Sequence, residues 1–150
     1  MNQSGEAENS SVIPSFNRTI RIDFRGAKIS SDAGVLMLRE IDERFNITAP
    51  LGDRMEDPRR ASHLRHTYVD LLRQRVYQMA AGYEDCNDAN HLRIDPALRL
   101  ALGKDEDYAA SQSMLSRLEN EILGNEKGMA ILDETLQRSV DALLRRVRGG

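Results

Sequence analysis

Over residues 61–83 the apolar side chains Leu64, Tyr68, Leu71, Leu72, Val76, Met79 and Tyr83 recur every three or four positions, with Arg65, Asp70, Arg73, Gln74 and Gln78 off the stripe. A strand with this spacing would scatter those side chains over both faces, whereas a helix gathers them on one. The segment is therefore expected to be a long amphipathic helix, begun after Pro58 and ended near Gly82. A second helical period runs over residues 127–147 through Ile131, Leu132, Leu136, Val140, Leu143, Leu144 and Val147. It ends in "RRVRGG", where arginines suit the negative end of the helix dipole and glycine stops the turn.

Shorter elements fill the rest. In "RTIRIDF" (residues 18–24), Ile20, Ile22 and Phe24 alternate with Arg21, Asp23 and Arg25, the period of a half-buried strand; Gly26 turns the chain and "AKIS" pairs back, giving a hairpin over residues 18–30. Ser31 or Asp32 caps a helix through "AGVLMLREIDERF", with Leu36, Leu38, Ile41 and Phe45 on one face and a stop at Asn46. Short helices follow at residues 88–92 and in "DPALRLAL", where Asp95 is the N-cap, Pro96 takes the first helical position and Gly103 closes the element. "SQSMLSRLENEIL" reads as a helix capped by Ser111. The polar first seventeen residues read as a disordered tail. The expected fold is mainly α, a helical domain over residues 18–150 with a short N-terminal β-hairpin and helices to residue 148.

A chain of 150 residues has room for one domain with a real core. No apolar run is long enough to cross a bilayer, and the N-terminus lacks the apolar stretch of a signal peptide. Cys86 is the single cysteine, so no internal disulfide forms, and a cytoplasmic location is expected. The formal net charge of −3 argues against a surface coated in cations but not against a basic patch. Of 21 cationic residues only Lys28, Lys104 and Lys127 are lysine; the rest are guanidinium forks, which suit bidentate phosphate or base contacts. A GC-rich genome would produce the same bias.

Four candidate sites stand out. "GYEDCNDANHLRIDP" (residues 82–96) concentrates Glu84, Asp85, Asp88 and Asp95 with Cys86, His91 and two asparagines. A calcium loop begun at Asp85 fails, because Asn90 stands at the sixth position and Pro96 at the twelfth. Zinc would draw on Cys86 and His91, with His63 and His66 far upstream, which is too few local ligands. A nucleophilic Cys86 would need a histidine brought to it by the fold. Helix capping accounts for most of the same acids and asparagines. Asp23, on the polar face of its strand, has the placement of a metal-binding acid and equally that of a cross-strand ion-pair partner.

The other two candidates point to nucleic acid. Residues 54–75 are locally basic: Arg54, Arg59, Arg60, Arg65, Arg73 and Arg75 with His63 and His66 outnumber Glu56, Asp57 and Asp70. Arg59, Arg60, Arg65, His66 and Arg73 are the expected phosphate contacts, against the alternative of a solvated helix face. The pair "PALRLAL" and "ASQSMLSRLEN" has the outline of a helix-turn-helix. In its second helix Gln112 and Asn120 suit adenine, Arg117 guanine, and Ser113 and Ser116 a base or phosphate, while Met114, Leu115 and Leu118 hold the helix to the core. A capped surface helix accounts for these residues too.

Together, "RIDFRGAKISSDAGVLMLREIDERF", "LLRQRVYQMAAGYEDCNDANHLRIDPALRLALG" and "ASQSMLSRLEN" resemble, in order and spacing, the N-terminal region of bacterial insertion-sequence transposases of the thirteen-eighty group, in the DDE superfamily with its ribonuclease-H-like core. The resemblance covers residues 19–120; Cys86 stands where a small residue such as alanine is expected and Ser113 where proline is common. It implies DNA transposition, in which three carboxylates hold two divalent metals such as magnesium. In that family the first catalytic aspartate follows a helix like that of residues 127–147, so this chain is expected to be a truncated or partial transposase. On that reading it has no catalytic residue and no metal or cofactor of its own, and is inactive alone. The implied role is DNA binding at terminal inverted repeats, with self-association. The rival role is a helical interaction module that packs on the missing catalytic core or on a second copy. A magnesium-dependent nuclease built on Asp23 and the acids of residues 82–96 is not expected.

Overall fold

The computed structural model describes residues 11–22, 33–59, 64–104 and 108–149, and these are mainly helical. The elements are α1 (Gly34–Phe45), α2 (Ala49–Asp53), α3 (Tyr68–Ala80), α4 (Ala89–Leu92), α5 (Pro96–Ala101), α6 (Gln112–Arg117), a π-helix (Leu118–Leu123) and α7 (Glu126–Arg148).

The helix ends follow local chemistry. α3 starts at Thr67, later than the apolar period suggests, because Thr67 and Asp70 form a capping box: the Thr67 hydroxyl accepts from the Asp70 N–H at 3.2 Å and the Asp70 carboxylate from the Thr67 N–H at 2.9 Å. Its far end closes through Gly82 at φ +98°, with the Tyr83 N–H donating back to Gln78 O and the Gly82 N–H to Met79 O. Asp95 caps α5 as expected, accepting from the Leu98 N–H at 2.8 Å. Asn125 caps α7 through the Gly128 N–H at 2.8 Å, and a Cβ at Gly128 would lie 1.9 Å from Ile122 O. α7 is thus seated backbone to backbone on the π-helix, a contact open only to glycine. The expected single helix from Ser111 changes winding at Leu118, where i+5 bonding sets in and the Gly124 N–H reaches Glu119 O at 2.8 Å.

The expected β-hairpin is not seen. The one strand pairing among the described residues is an isolated antiparallel bridge between Val12 and Ile22, whose N–H groups donate to each other's carbonyls at 2.9 Å. Arg18 and Thr19 lie in a turn, while Phe24, Gly26 and the expected return strand fall outside the described residues, as do Asp23, Ser31 and Asp32. The alternation is nonetheless real, since Ile20 and Ile22 pack on the core with Arg21 exposed. Helices supply the apolar surface, so the pattern needs no ladder. Residues 11–17, expected within the tail, are held to the body: Pro14 is buried, Phe16 packs on the core, and the Ser15 N–H and hydroxyl donate to Glu40 Oε2 at 2.7 and 3.0 Å.

Two apolar clusters flank α3. One joins Tyr68, Leu71 and Leu72 of α3 to Met55, Cys86, Ala89, Leu115 and Leu118. The other joins Tyr77 to Val35 and Leu36 of α1 and to Leu98, Ala101 and Leu102 at α5. α3 is therefore enclosed on more sides than its stripe predicts, and Gln74 and Gln78, expected off the core, are each 1% exposed. The Gln74 side chain bonds both backbone groups of Ala110, donating to its O at 2.9 Å and accepting from its N–H at 2.7 Å. α1 is likewise rotated: Val35, Leu36 and Asp42 are buried, whereas Ile41 and Phe45, expected in the core, are exposed.

Candidate functional site

α6 and the first turn of the π-helix present an outward polar row held from below. Leu115 and Leu118 are fully buried, as expected of residues that seat the helix, and leave Ser113, Arg117 and Asn120 exposed at positions i, i+4 and i+7. The Arg117 side chain is 71% exposed, its nearest acid Glu121 at 3.8 Å. Asn120 donates from Nδ2 to Ser116 O at 2.9 Å. Gln112 points the other way and ties α6 to the preceding loop, donating from Nε2 to Asn87 Oδ1 at 2.8 Å. The cap expected from Ser111 comes instead from Asn90, whose Oδ1 accepts from the Gln112 N–H at 3.1 Å.

Beside this row lies a cavity of about 330 Å³ with a floor of Leu71, Met114, Leu118 and Ile122, and with Arg59, Arg117 and Glu121 on its walls. It brings together two arginines far apart in the chain. The Arg59 fork is fixed: Nε and Nη2 donate to the two Asp57 oxygens at 2.7 and 2.5 Å, Nη2 also reaches His66 O at 3.2 Å, and the guanidinium lies 4.6 Å from the Tyr68 ring centroid. The hydrogen bond from Arg59 holds the Asp57 carboxyl below its usual range, and Asp57 in turn pushes the guanidinium up, so both stay charged. Acids match arginines around the cavity, which leaves it close to charge balance.

The basic segment is not the continuous cationic surface its composition suggests. Arg73 donates from Nε to the buried Asp42 at 3.0 Å. Arg75 is buried, binds Glu119 and Glu84 O, and donates to Tyr83 O at 3.1 Å. Arg54 binds Glu134 and donates to Thr135 Oγ1 at 3.3 Å, which keeps the Glu134 carboxyl low. His66 is buried, Arg65 is exposed, and Arg60 and His63 lie outside the described residues. Of the expected phosphate contacts, Arg59 and Arg65 are at the surface, whereas Arg73 and His66 are drawn inward.

The expected helix-turn-helix pairing is corrected as well. α5 packs on α1 within one apolar cluster, whereas α6 belongs to the other and packs on α3 and α4. The physical reason is the α4 and Asn90 contact, which brings α4 to α6 and leaves α5 to bury Leu98 and Ala101 elsewhere.

Sequence reasoning missed the interior network around Asp42, a 4% exposed carboxylate. Its Oδ1 accepts from the Thr48 N–H at 2.8 Å, and its Oδ2 from the Thr48 hydroxyl at 2.5 Å, the Tyr77 hydroxyl at 2.8 Å and Arg73. Burial pushes this carboxyl up, but the bonds from Thr48, Tyr77 and Arg73 outweigh it and the net shift is downward. Burial and the same bond push the Tyr77 hydroxyl far up. The network braces α1 against α3 in the interior.

The acid-rich stretch of residues 82–96 is connective. Asp85 accepts from the Asn87 N–H at 2.7 Å, Asp95 caps α5, and Asn87 and Asn90 bind Gln112. Cys86 is buried and donates to Glu119 Oε2 at 3.3 Å; burial and that carboxylate push its thiol up, away from the reactive thiolate. Among the described residues no three His, Cys, Asp or Glu side chains converge as ligands to a divalent metal would. Among the same residues no helix is long and apolar enough to cross a membrane.

Comparison with known proteins adds one finding: the family described as Transposase DDE domain group 1 matches residues 12–146. No curated protein and no solved structure matches the chain.

Proposed function

The chain belongs to the family of transposases with a group 1 DDE domain, and from that premise we propose that it serves DNA transposition by binding the terminal inverted repeats of an insertion sequence of the thirteen-eighty group. The observation that carries this reading is the outward row of Ser113, Arg117 and Asn120 on a helix fixed by Leu115 and Leu118, with Arg59 sharing a cavity wall with Arg117. Among the described residues the Arg117 guanidinium pairs with an exposed i,i+4 acid, a class of pair worth little, so exchanging Glu121 for a guanine edge costs little. Arg59 is pre-oriented by Asp57 and Tyr68, which reduces the side-chain entropy lost on contact. Arg65 and Arg60 add phosphate contacts. Arg73, His66, Gln112 and Ser116 act by holding the elements in place. No residue of this chain is assigned a catalytic role.

Fluorescence anisotropy on a labelled duplex carrying the element's terminal repeat, against a scrambled duplex, tests the reading. Arg117→Ala is expected to lose about tenfold on the repeat, within the range of one base contact, and much less on the scrambled duplex. Arg59→Ala should weaken both alike. With Arg59, Arg60 and Arg65 as the phosphate contacts, log affinity should fall with log salt at a slope of about −3, and Arg59→Ala should reduce that slope by about one. Absence of binding at low salt, or equal losses on both duplexes for Arg117→Ala, overturns the reading.

A further inference from the structure

The cavity beside α6 has the build of a small-ligand site in its own right. Its volume of about 330 Å³ lies at the low end for such sites. A cavity of about 150 Å³ takes up benzene, so this one has room for a bicyclic ring with its substituents. The floor of Leu71, Met114, Leu118 and Ile122 is apolar and favours a flat face that gives up little hydration. Met114 adds a thioether, which contacts aromatic rings well.

The walls set the chemistry of the edges. Arg59 is answered by Asp57 and held against the Tyr68 ring, so it brings a fixed guanidinium but no unmatched charge. The Arg117 and Glu121 side chains are 71% and 64% exposed and 3.8 Å apart, a weak surface pair that a ligand can separate at little cost. Arginine presents donors only and the carboxylate acceptors only. With each arginine matched by an acid, the enclosed part of an occupant is best neutral. A neutral bicycle with two donors on one edge for a carboxylate, and two acceptors on the next edge for a guanidinium, is guanine: N1–H and the N2 amine, then O6 and N7. Adenine has a single amine beside ring acceptors, so it would set a lone pair against Glu121. We propose that the cavity binds one guanine base, with N1–H and the N2 amine donating to Glu121, O6 and N7 accepting from Arg117, and the ring on the apolar floor. A free guanine nucleotide and an unpaired guanosine in a DNA strand carry the same chemistry. The assignment goes beyond duplex contact, since it needs neither a groove nor a repeat sequence.

Titration of the full chain with guanosine monophosphate and, separately, adenosine monophosphate tests this, followed by the methyl resonances of Met114 and Ile122. Guanosine monophosphate is expected to shift both resonances through its ring current and to bind about tenfold tighter than adenosine monophosphate, within the range of one bidentate pair. Glu121→Gln, at an exposed position, should remove that preference while far-ultraviolet circular dichroism is unchanged. Met114→Trp, which fills the cavity, should abolish binding of both nucleotides. A second arm separates the sources. A short thymidine strand with one central guanosine is preferred over its adenosine counterpart where the base comes from a strand, and the two bind alike where only the free nucleotide enters. The proposal is overturned if guanine is preferred in neither arm, or if binding leaves both methyl resonances unmoved. No duplex is present in either arm, so failure here leaves the repeat-binding reading standing, and loss of repeat binding leaves this one.

Discussion

α3 and α7 are both amphipathic by sequence, yet the structure uses them in opposite ways. α3 buries polar side chains, Gln74, Arg75 and Gln78, and leaves Met79 of its apolar stripe exposed. α7 keeps its polar side in solvent, and among the described residues most of its apolar stripe is uncovered too. Position in the assembly is the difference. α3 lies between two apolar clusters and must satisfy polar groups on several sides, whereas α7 touches the body along one side, against α2, the π-helix and, through Arg146, the end of α1. An amphipathic pattern states which residues share a face, but not how many faces have neighbours.

The contrast can be broken by mutation. The largest effect is expected at Asp42, where Asp42→Asn leaves the half-buried Arg73 and the Tyr77 hydroxyl without their anion. It should cost about 3–5 kcal/mol in urea unfolding. Because the folded carboxyl lies below its ordinary value of 3.8, its contribution is complete above that value and is lost as pH falls through the lower folded one. The stability gap between wild type and variant should therefore close in acid, and a gap that is constant with pH would show that the Asp42 charge is not what braces α1 on α3.

Next comes Gln74→Leu, which strips both backbone groups of the buried Ala110 of their partner. A loss of about 2–4 kcal/mol is expected from two unsatisfied groups, and a stabilised variant would return Gln74 to the surface face its sequence position suggests. The smallest effect is expected at Leu136 of α7, which is 65% exposed. Leu136→Ser should change the stability of the chain by no more than about 0.5 kcal/mol, and a loss of several times that would show Leu136 to be buried in solution.

Much of the framework could be read from residue types alone. Asp95 with Pro96, Gly82, Gly103 and Asn46 mark helix ends through backbone geometry that needs no distant partner, and they stand where expected. The capping box at Thr67 is masked in the sequence, because the apolar period runs on through Leu64 upstream of it. Within the candidate site, the outward placement of Arg117 and the seating of Leu115 and Leu118 follow from helical phase. That Arg59 shares a cavity with Arg117 does not, nor does the withdrawal of Arg73 and Arg75 into ion pairs, because their partners Asp42 and Glu119 lie 31 and 44 residues away. The expected hairpin failed for a related reason: alternation identified the core-facing side chains, Ile20 and Ile22, but not the strand they would pair with.

Helix positions, most helix stops, the connective use of the acidic stretch and kinship with transposases were all present in the order of the residues, because capping, helical phase and motif spacing are local properties. Which arginines remain on the surface, and which amphipathic helix is enclosed, were settled by three-dimensional packing. A helical period gives the angle at which a side chain leaves the axis, and only the neighbour found at that angle determines whether the side chain is buried, paired or left for a partner.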